Sequence, residues 1–324
     1  MIEHSKRFRS SLLITCHSWD LGTCLPDAVL AFLSKKQTRL GSLSLVTDGS
    51  CLGLDSQDTY LSLVLLTRLR HLSWRALQSV EEFDALAKIL QGNVEHLEEL
   101  ELDLLDWVGA NEQLRNGRAT RSRNRFARHV LKLEAGKRRV LFPRLSSLSL
   151  SAVSFRRSIK DMASAFNFDR LQTLKLRNCP GTNALLEMLV DSHQTICLTS
   201  LELVVRSDDP ESSSSTPAAC RFLEMFGGLK DLFMLVHGPE ATTNKYWDAI
   251  LHHKPTLKRV VYHERDVDLD DESPNFELFG DNMLSWDGSM FDLFRGGNLE
   301  YVGLCDSSHV LGMLLTLSVA LVRR

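Results

Sequence analysis

The sequence has no Asn-x-Ser/Thr acceptor, no closely spaced pair of cysteines and no apolar run of bilayer length. Its seven cysteines are an odd number scattered along the chain, the usage of reduced thiols and not of a disulfide framework. The longest apolar stretch, Val310 to Val322, falls short of the roughly 20 residues a spanning helix needs and is interrupted by Thr316 and Ser318. Lys6, Arg7 and Arg9 precede an apolar segment, Ser11 to Cys16, that is too short for a secretory core. These absences lead us to expect a cytoplasmic or nuclear protein without a membrane segment. Aromatics make up only 7% of the chain and the formal net charge is −3, so no general attraction to nucleic acid or anionic lipid is written into the whole molecule.

Motifs of catalysis are lacking as well. There is no phosphate-cradling glycine loop, no nucleophile elbow, no His-Glu-x-x-His and no Cys-x-x-Cys. Gly227-Gly228 and Gly296-Gly297 read as turn glycines ahead of strands, where helix exits need left-handed backbone. His252, His253 and His263 are too irregularly placed for a metal centre. No enzyme, cofactor or metal site is expected.

What the chain has is leucine in register. The pattern Leu-x-x-Leu-x-Leu occurs at Leu40/Leu43/Leu45, Leu69/Leu72/Trp74, Leu97/Leu100/Leu102, Leu145/Leu148/Leu150, Leu171/Leu174/Leu176 and Leu198/Leu201/Leu203. Degenerate copies follow at Leu229/Leu232/Met234, Leu257/Val260/Tyr262 and Leu299/Val302/Leu304, with an edge copy near Leu12 and Ile14. Successive first leucines lie 29, 28, 48, 26, 27, 31, 28 and 42 residues apart. A period of about 20–29 residues carrying this pattern predicts a leucine-rich repeat: a short strand, then a helix, stacked with its neighbours. Alternation in Leu97 to Asp103 fits a half-buried strand, while Phe83, Leu86, Ala87 and Leu90 recur at helical spacing. Ser79 with Glu82 predicts a capping box, and Thr216 before Pro217 predicts an N-cap followed by proline at the first helical position. Further helices are predicted over 182–191, 217–226, 243–253 and 283–294.

The resulting expectation is an α/β solenoid, or horseshoe, with a parallel sheet on its concave face and helices on its convex face. Residues 1–324 form one domain in this reading. Its parts are an N-terminal capping region at 1–39, about nine repeats over 40–305 and a C-terminal capping helix at 306–324.

The segment Leu171-Gln172-Thr173-Leu174-Lys175-Leu176-Arg177-Asn178-Cys179 resembles the strand motif of the cysteine-containing leucine-rich repeats found in F-box substrate receptors. The resemblance implies a non-catalytic recognition subunit whose partners are proteins, a ubiquitin-ligase adaptor among them. The chain departs from the family pattern after the strand. Only Cys179 fits there, and the other copies place Asp48, Leu77, Leu105, Val153, Arg206, His237, Arg265 and Ser307, which suggests individually remodelled turns. Leu25-Pro26-Asp27-Ala28-Val29-Leu30 resembles the opening of an F-box, but Leu40 follows too soon for that module, so it reads as a repeat helix.

Two long intervals carry charged insertions, near 110–140 and 264–282. Between positions 115 and 139 the first holds Arg115, Arg118, Arg121, Arg123, Arg125, Arg128, Lys132, Lys137, Arg138 and Arg139 against Glu134 alone. It reads as a basic patch for an acidic partner or nuclear import; nucleic acid is the lesser alternative, because only Phe126 offers a ring for stacking. The second is acidic from Glu264 to Asp281. Its Asp266, Asp268 and Asp270 imitate a calcium loop, but Asp271 occupies the turn position that needs glycine. A polar loop over 207–215 reads as flexible.

The outward-facing strand positions are the expected protein-binding surface. They comprise an acidic rib of Glu99, Glu101 and Asp103, a basic rib of Lys175 and Arg177, and Glu202, Asp231, Phe233, Leu235, Arg259 and Tyr301 beyond it.

Overall fold

A computed structural model describes residues 15–21, 26, 29, 32–33, 35, 37, 39–47, 60–104, 126–133, 140–156, 158–206, 216–237, 243–265, 292–293 and 298–305. They belong to two compact units, Met1–Lys137 with Leu141–Leu145, and Arg138–Val140 with Ser146–Arg324, where the sequence reading has one domain.

In the first unit, strands β1 (Cys16–Trp19), β2 (Ser42–Val46), β3 (His71–Leu77) and β4 (Glu99–Leu104) pair in parallel and in sequence order. The segment read as an N-terminal capping region therefore carries a strand in the repeat's own register, with His17 opposite Leu43 and Trp19 opposite Leu45. The second unit continues the pattern with β5 (Ser147–Ser151), β6 (Thr173–Arg177), β7 (Ser200–Arg206), β8 (Asp231–His237), β9 (Arg259–Arg265) and β10 (Tyr301–Cys305), again parallel and in order.

Register stacks like on like, as repeat periodicity demands. Leu43, Leu72 and Leu100 face one another in the first unit, and Leu148, Leu174, Leu201, Leu232 and Val260 in the second, all buried. Removing one such leucine side chain costs about 2–5 kcal/mol, since the stack leaves a cavity its neighbours cannot close. A second ladder uses the backbone alone. Within each unit, carbonyls two residues before a central strand position accept two amides from the next copy: Gly41 takes Arg70 and His71, Arg70 takes Glu98 and Glu99, and Thr199 takes Lys230 and Asp231, all at 2.7–3.1 Å.

Helices follow the strands. In the first unit α1 (Val80–Asn93) carries the expected capping box: Ser79 Oγ accepts the Glu82 amide at 3.1 Å and Glu82 returns the bond to the Ser79 amide at 3.0 Å. Its buried face includes Phe83, Leu86, Ala87 and Leu90. In the second unit α2 (Ile159–Ala165), α3 (Thr182–Asp191), α4 (Ala218–Glu224) and α5 (Thr243–Leu251) each pack on the next. Arg221 of α4 reaches Glu187 of α3 at 2.9 Å. The α3 bounds are those expected. In α4 the N-cap is Pro217 itself, with φ −54° and ψ 140°, so the helix starts one residue later than the Thr216-Pro217 reading placed it. Of the helix expected over 283–294, only 292–293 are described, as helical; the capping helix at 306–324 lies outside the described residues.

The turns after the strands come in two forms. Ala76, Ala152 and Asn178 have φ of 62°, 57° and 50°, and this left-handed residue shifts the alternation so that Leu77, Val153 and Cys179 point inward. β4, β7 and β8 run straight through the same point, and Leu104, Val205 and Val236, one position earlier in the repeat, are buried instead. The irregularity after the strand is therefore a phase choice between two regular solutions.

Candidate protein-binding face

The outward side chains of the first unit are tied into pairs along the register. His71 Nδ1 lies 3.1 Å from Glu99 Oε2, and Ser73 Oγ donates to Glu101 Oε2 at 2.6 Å. Asp20, directly after β1, gathers three donors: Ser18, Ser44 at 3.0 Å and Arg75 Nη2 at 2.9 Å. The Ser18 hydrogen bond foremost, with those of Ser44 and Arg75, holds its carboxyl below the ordinary carboxylate range. Sequence reasoning missed Asp20 because His17 replaces a leucine in that copy and hides the repeat. Asp103 is half-buried and is the member of the acidic rib with no bonded partner among the described residues.

In the second unit the expected basic rib is partly neutralised. Arg177 grips Glu202 in a bidentate pair, Nε to Oε1 and Nη2 to Oε2, the latter at 2.8 Å. Arg259 donates to Asp231, and the bond holds the guanidinium's proton more firmly still. At the strand starts Lys258 pairs with Glu300 at 2.8 Å, and that hydrogen bond raises the ammonium's pKa. Lys175, half-buried on β6, and Lys230, exposed ahead of β8, carry no ion pair among the described residues.

Beside these charges lies an apolar strip. Phe233 is 36% exposed and Tyr301 57% exposed. Phe233 is in register with Val261, and Val261 with Gly303. A Cβ on Gly303 would come within 3.1 Å of Val261 Cγ2 and 3.5 Å of Tyr301 Cε1, so the bare glycine is what lets those two side chains converge. Val204 and Leu235, paired to each other, extend the strip half-buried. The sequence named Phe233, Leu235 and Tyr301 as interface residues; that Gly303, another outward position, brings Tyr301 to the strip follows only from the register.

Of the basic insert, Arg118, Arg121, Arg123 and Arg125 lie outside the described residues. Arg128 sits exposed on a π-helical turn, Phe126–Val130, whose Phe126, Ala127 and Val130 are buried in the core. Phe126, the one ring considered for base stacking, thus faces inward. His129 anchors this turn to α1 through Asp84 at 2.7 Å. The acidic residues Asp266, Asp268, Asp270, Asp271, Glu272, Glu277 and Asp281 also lie outside the described residues.

Among the described residues, no group of three or more His, Cys, Asp or Glu side chains is placed to hold a metal ion, and no helix is long and apolar enough to cross a membrane. No family model matches the chain, and no curated protein matches it significantly.

Proposed function

We propose that the chain is a leucine-rich repeat horseshoe acting as a non-catalytic protein-binding scaffold, with the outward faces of its parallel strands as the recognition surface. The observation that carries this reading is the exposure of Phe233 and Tyr301, on β8 and β10, beside paired charges on the face of a sheet whose opposite side is a leucine core. An aromatic anchor rimmed by ion pairs is the composition that protein interfaces favour. The cysteine of the Leu171–Cys179 motif, hydrogen-bonded to the preceding copy, supports the resemblance to F-box substrate receptors. The strand backbone of β8 is paired on both sides, so a partner there is read by side chains and not by strand addition.

Affinity purification from native lysate with mass spectrometry tests the proposal, run beside two variants, Phe233→Asp and the double Glu99→Lys/Glu101→Lys. Proteins recovered with the native chain and lost with either variant support a scaffold. Recovery of ubiquitin-ligase adaptor and cullin subunits supports the F-box branch. Recovery that disappears with nuclease treatment overturns both and moves attention to residues 115–139.

A further inference from the structure

Resting on the reading of the strand faces as a recognition surface, we infer that the β6–β10 face selects acidic peptide segments bearing a bulky apolar side chain. The carboxylates Glu202, Asp231 and Glu300 stand on or beside this face, and each is already held by its own cation, Arg177, Arg259 and Lys258. Two further cations, Lys175 and Lys230, carry no ion pair among the described residues. The register places Lys175 near the apolar strip: Lys175 lies opposite Glu202 and Glu202 opposite Phe233, so Lys175 stands two strands from the ring, about 10 Å away. Lys230 lies three residues before Phe233 on the same chain segment.

A ligand that buries an apolar side chain against Phe233, Val261 and Tyr301 therefore brings its flanking residues to surplus positive charge. Acidic flanks gain attraction and faster encounter; basic flanks meet repulsion. The engaged carboxylates do not reverse this preference, because a basic ligand would have to displace the bidentate Arg177 or the Arg259 contact to reach them.

The test is selection of a random dodecamer peptide library on the full chain, with parallel selection on Phe233→Asp and on Lys175→Glu/Lys230→Glu. The first substitution changes a partly exposed side chain and the second two that carry no ion pair, and a retained thermal unfolding transition verifies folding of each. Enrichment of peptides with an aromatic or branched residue beside Asp or Glu supports the inference if they are lost on Phe233→Asp and weakened about tenfold on the charge-reversed chain. Peptides that depend on Phe233 but are neutral or basic overturn the charge preference and leave the recognition surface standing. If no enriched peptide depends on Phe233, both readings fall. A further arm uses the chain with Asp266, Asp268, Asp270 and Asp271 changed to Asn. If acidic peptides enrich only there, the chain's own acidic segment is the occupant and the external partner is overturned.

Discussion

Asn93 Oδ1 accepts the Leu69 amide at 2.7 Å, joining the end of α1 to the start of the preceding strand. Its amide group also donates to the carbonyls of Leu66 at 2.7 Å and Ile89 at 2.8 Å, all in a site where Asn93 is 1% exposed. Asn93→Ala strands a buried donor and buried acceptors, a loss of about 3 kcal/mol. Urea unfolding followed by far-ultraviolet dichroism measures it, and exchange of the Leu69 amide should speed by orders of magnitude. An Asn93→Ala protein within 0.5 kcal/mol of native would remove this side chain from the account of the fold.

The left-handed turn residues give predictions of opposite sign. Ala152 holds φ 57° at the strain of a left-handed alanine, about 1 kcal/mol, so Ala152→Gly should be neutral or slightly stabilising although glycine usually weakens a fold. Gly181 holds φ 85° at the start of α3, and a Cβ there would stand 3.0 Å from the Arg156 backbone nitrogen. Gly181→Ala should therefore cost roughly 1–3 kcal/mol. Chemical denaturation of both variants reads the contrast; equal effects would contradict the assignment.

Cys179 donates its thiol to the carbonyl of Leu150, one copy earlier, and to that of Arg177, each at 3.3 Å. Val153 occupies the corresponding place in the preceding copy with no donor at all, so packing and not the thiol bond is the common requirement. Cys179→Val should be nearly neutral, whereas Cys179→Ala, which leaves a void, should cost about 1–2 kcal/mol. Thermal unfolding of the pair decides. A costly Cys179→Val with a harmless Cys179→Ala would reverse the ranking of packing over hydrogen bonding.

The strands and their pairing order were legible because the inward leucines recur at a nearly fixed period, and the outward sites followed from alternation alone. Arg177, Glu202, Phe233 and Tyr301 all stand where that alternation puts them. Three things were not legible. The carbonyl ladder at Gly41, Arg70, Gln172, Thr199 and Lys230 uses only backbone, so no residue type marks it. Asn93 reads as an ordinary helix end until the neighbouring copy is in place. The phase of each turn depends on one residue's φ, and alanine, at 76 and 152, is a residue type that gives no warning of a left-handed backbone.

His253, in the second unit, is a buried ionisable group on which acid should act. It is 1% exposed, with its ring 5.0 Å from Phe226 and 5.2 Å from His252, whose Nε2 stands 3.1 Å from the Phe226 carbonyl oxygen. Burial first, and then the charge of His252, push its pKa from 6.5 down to about 4. The folded protein therefore holds this proton less firmly than the unfolded chain does. The stability the site contributes is complete above pH 6.5, declines as pH falls, and is fully lost near pH 4, a change of about 3 kcal/mol. His253→Phe keeps a ring against Phe226 and cannot take up a proton, so its stability should decline less over that interval. Urea midpoints measured from pH 7.5 to 4.5 on both proteins provide the comparison. Parallel declines would place the acid sensitivity of this unit somewhere other than His253.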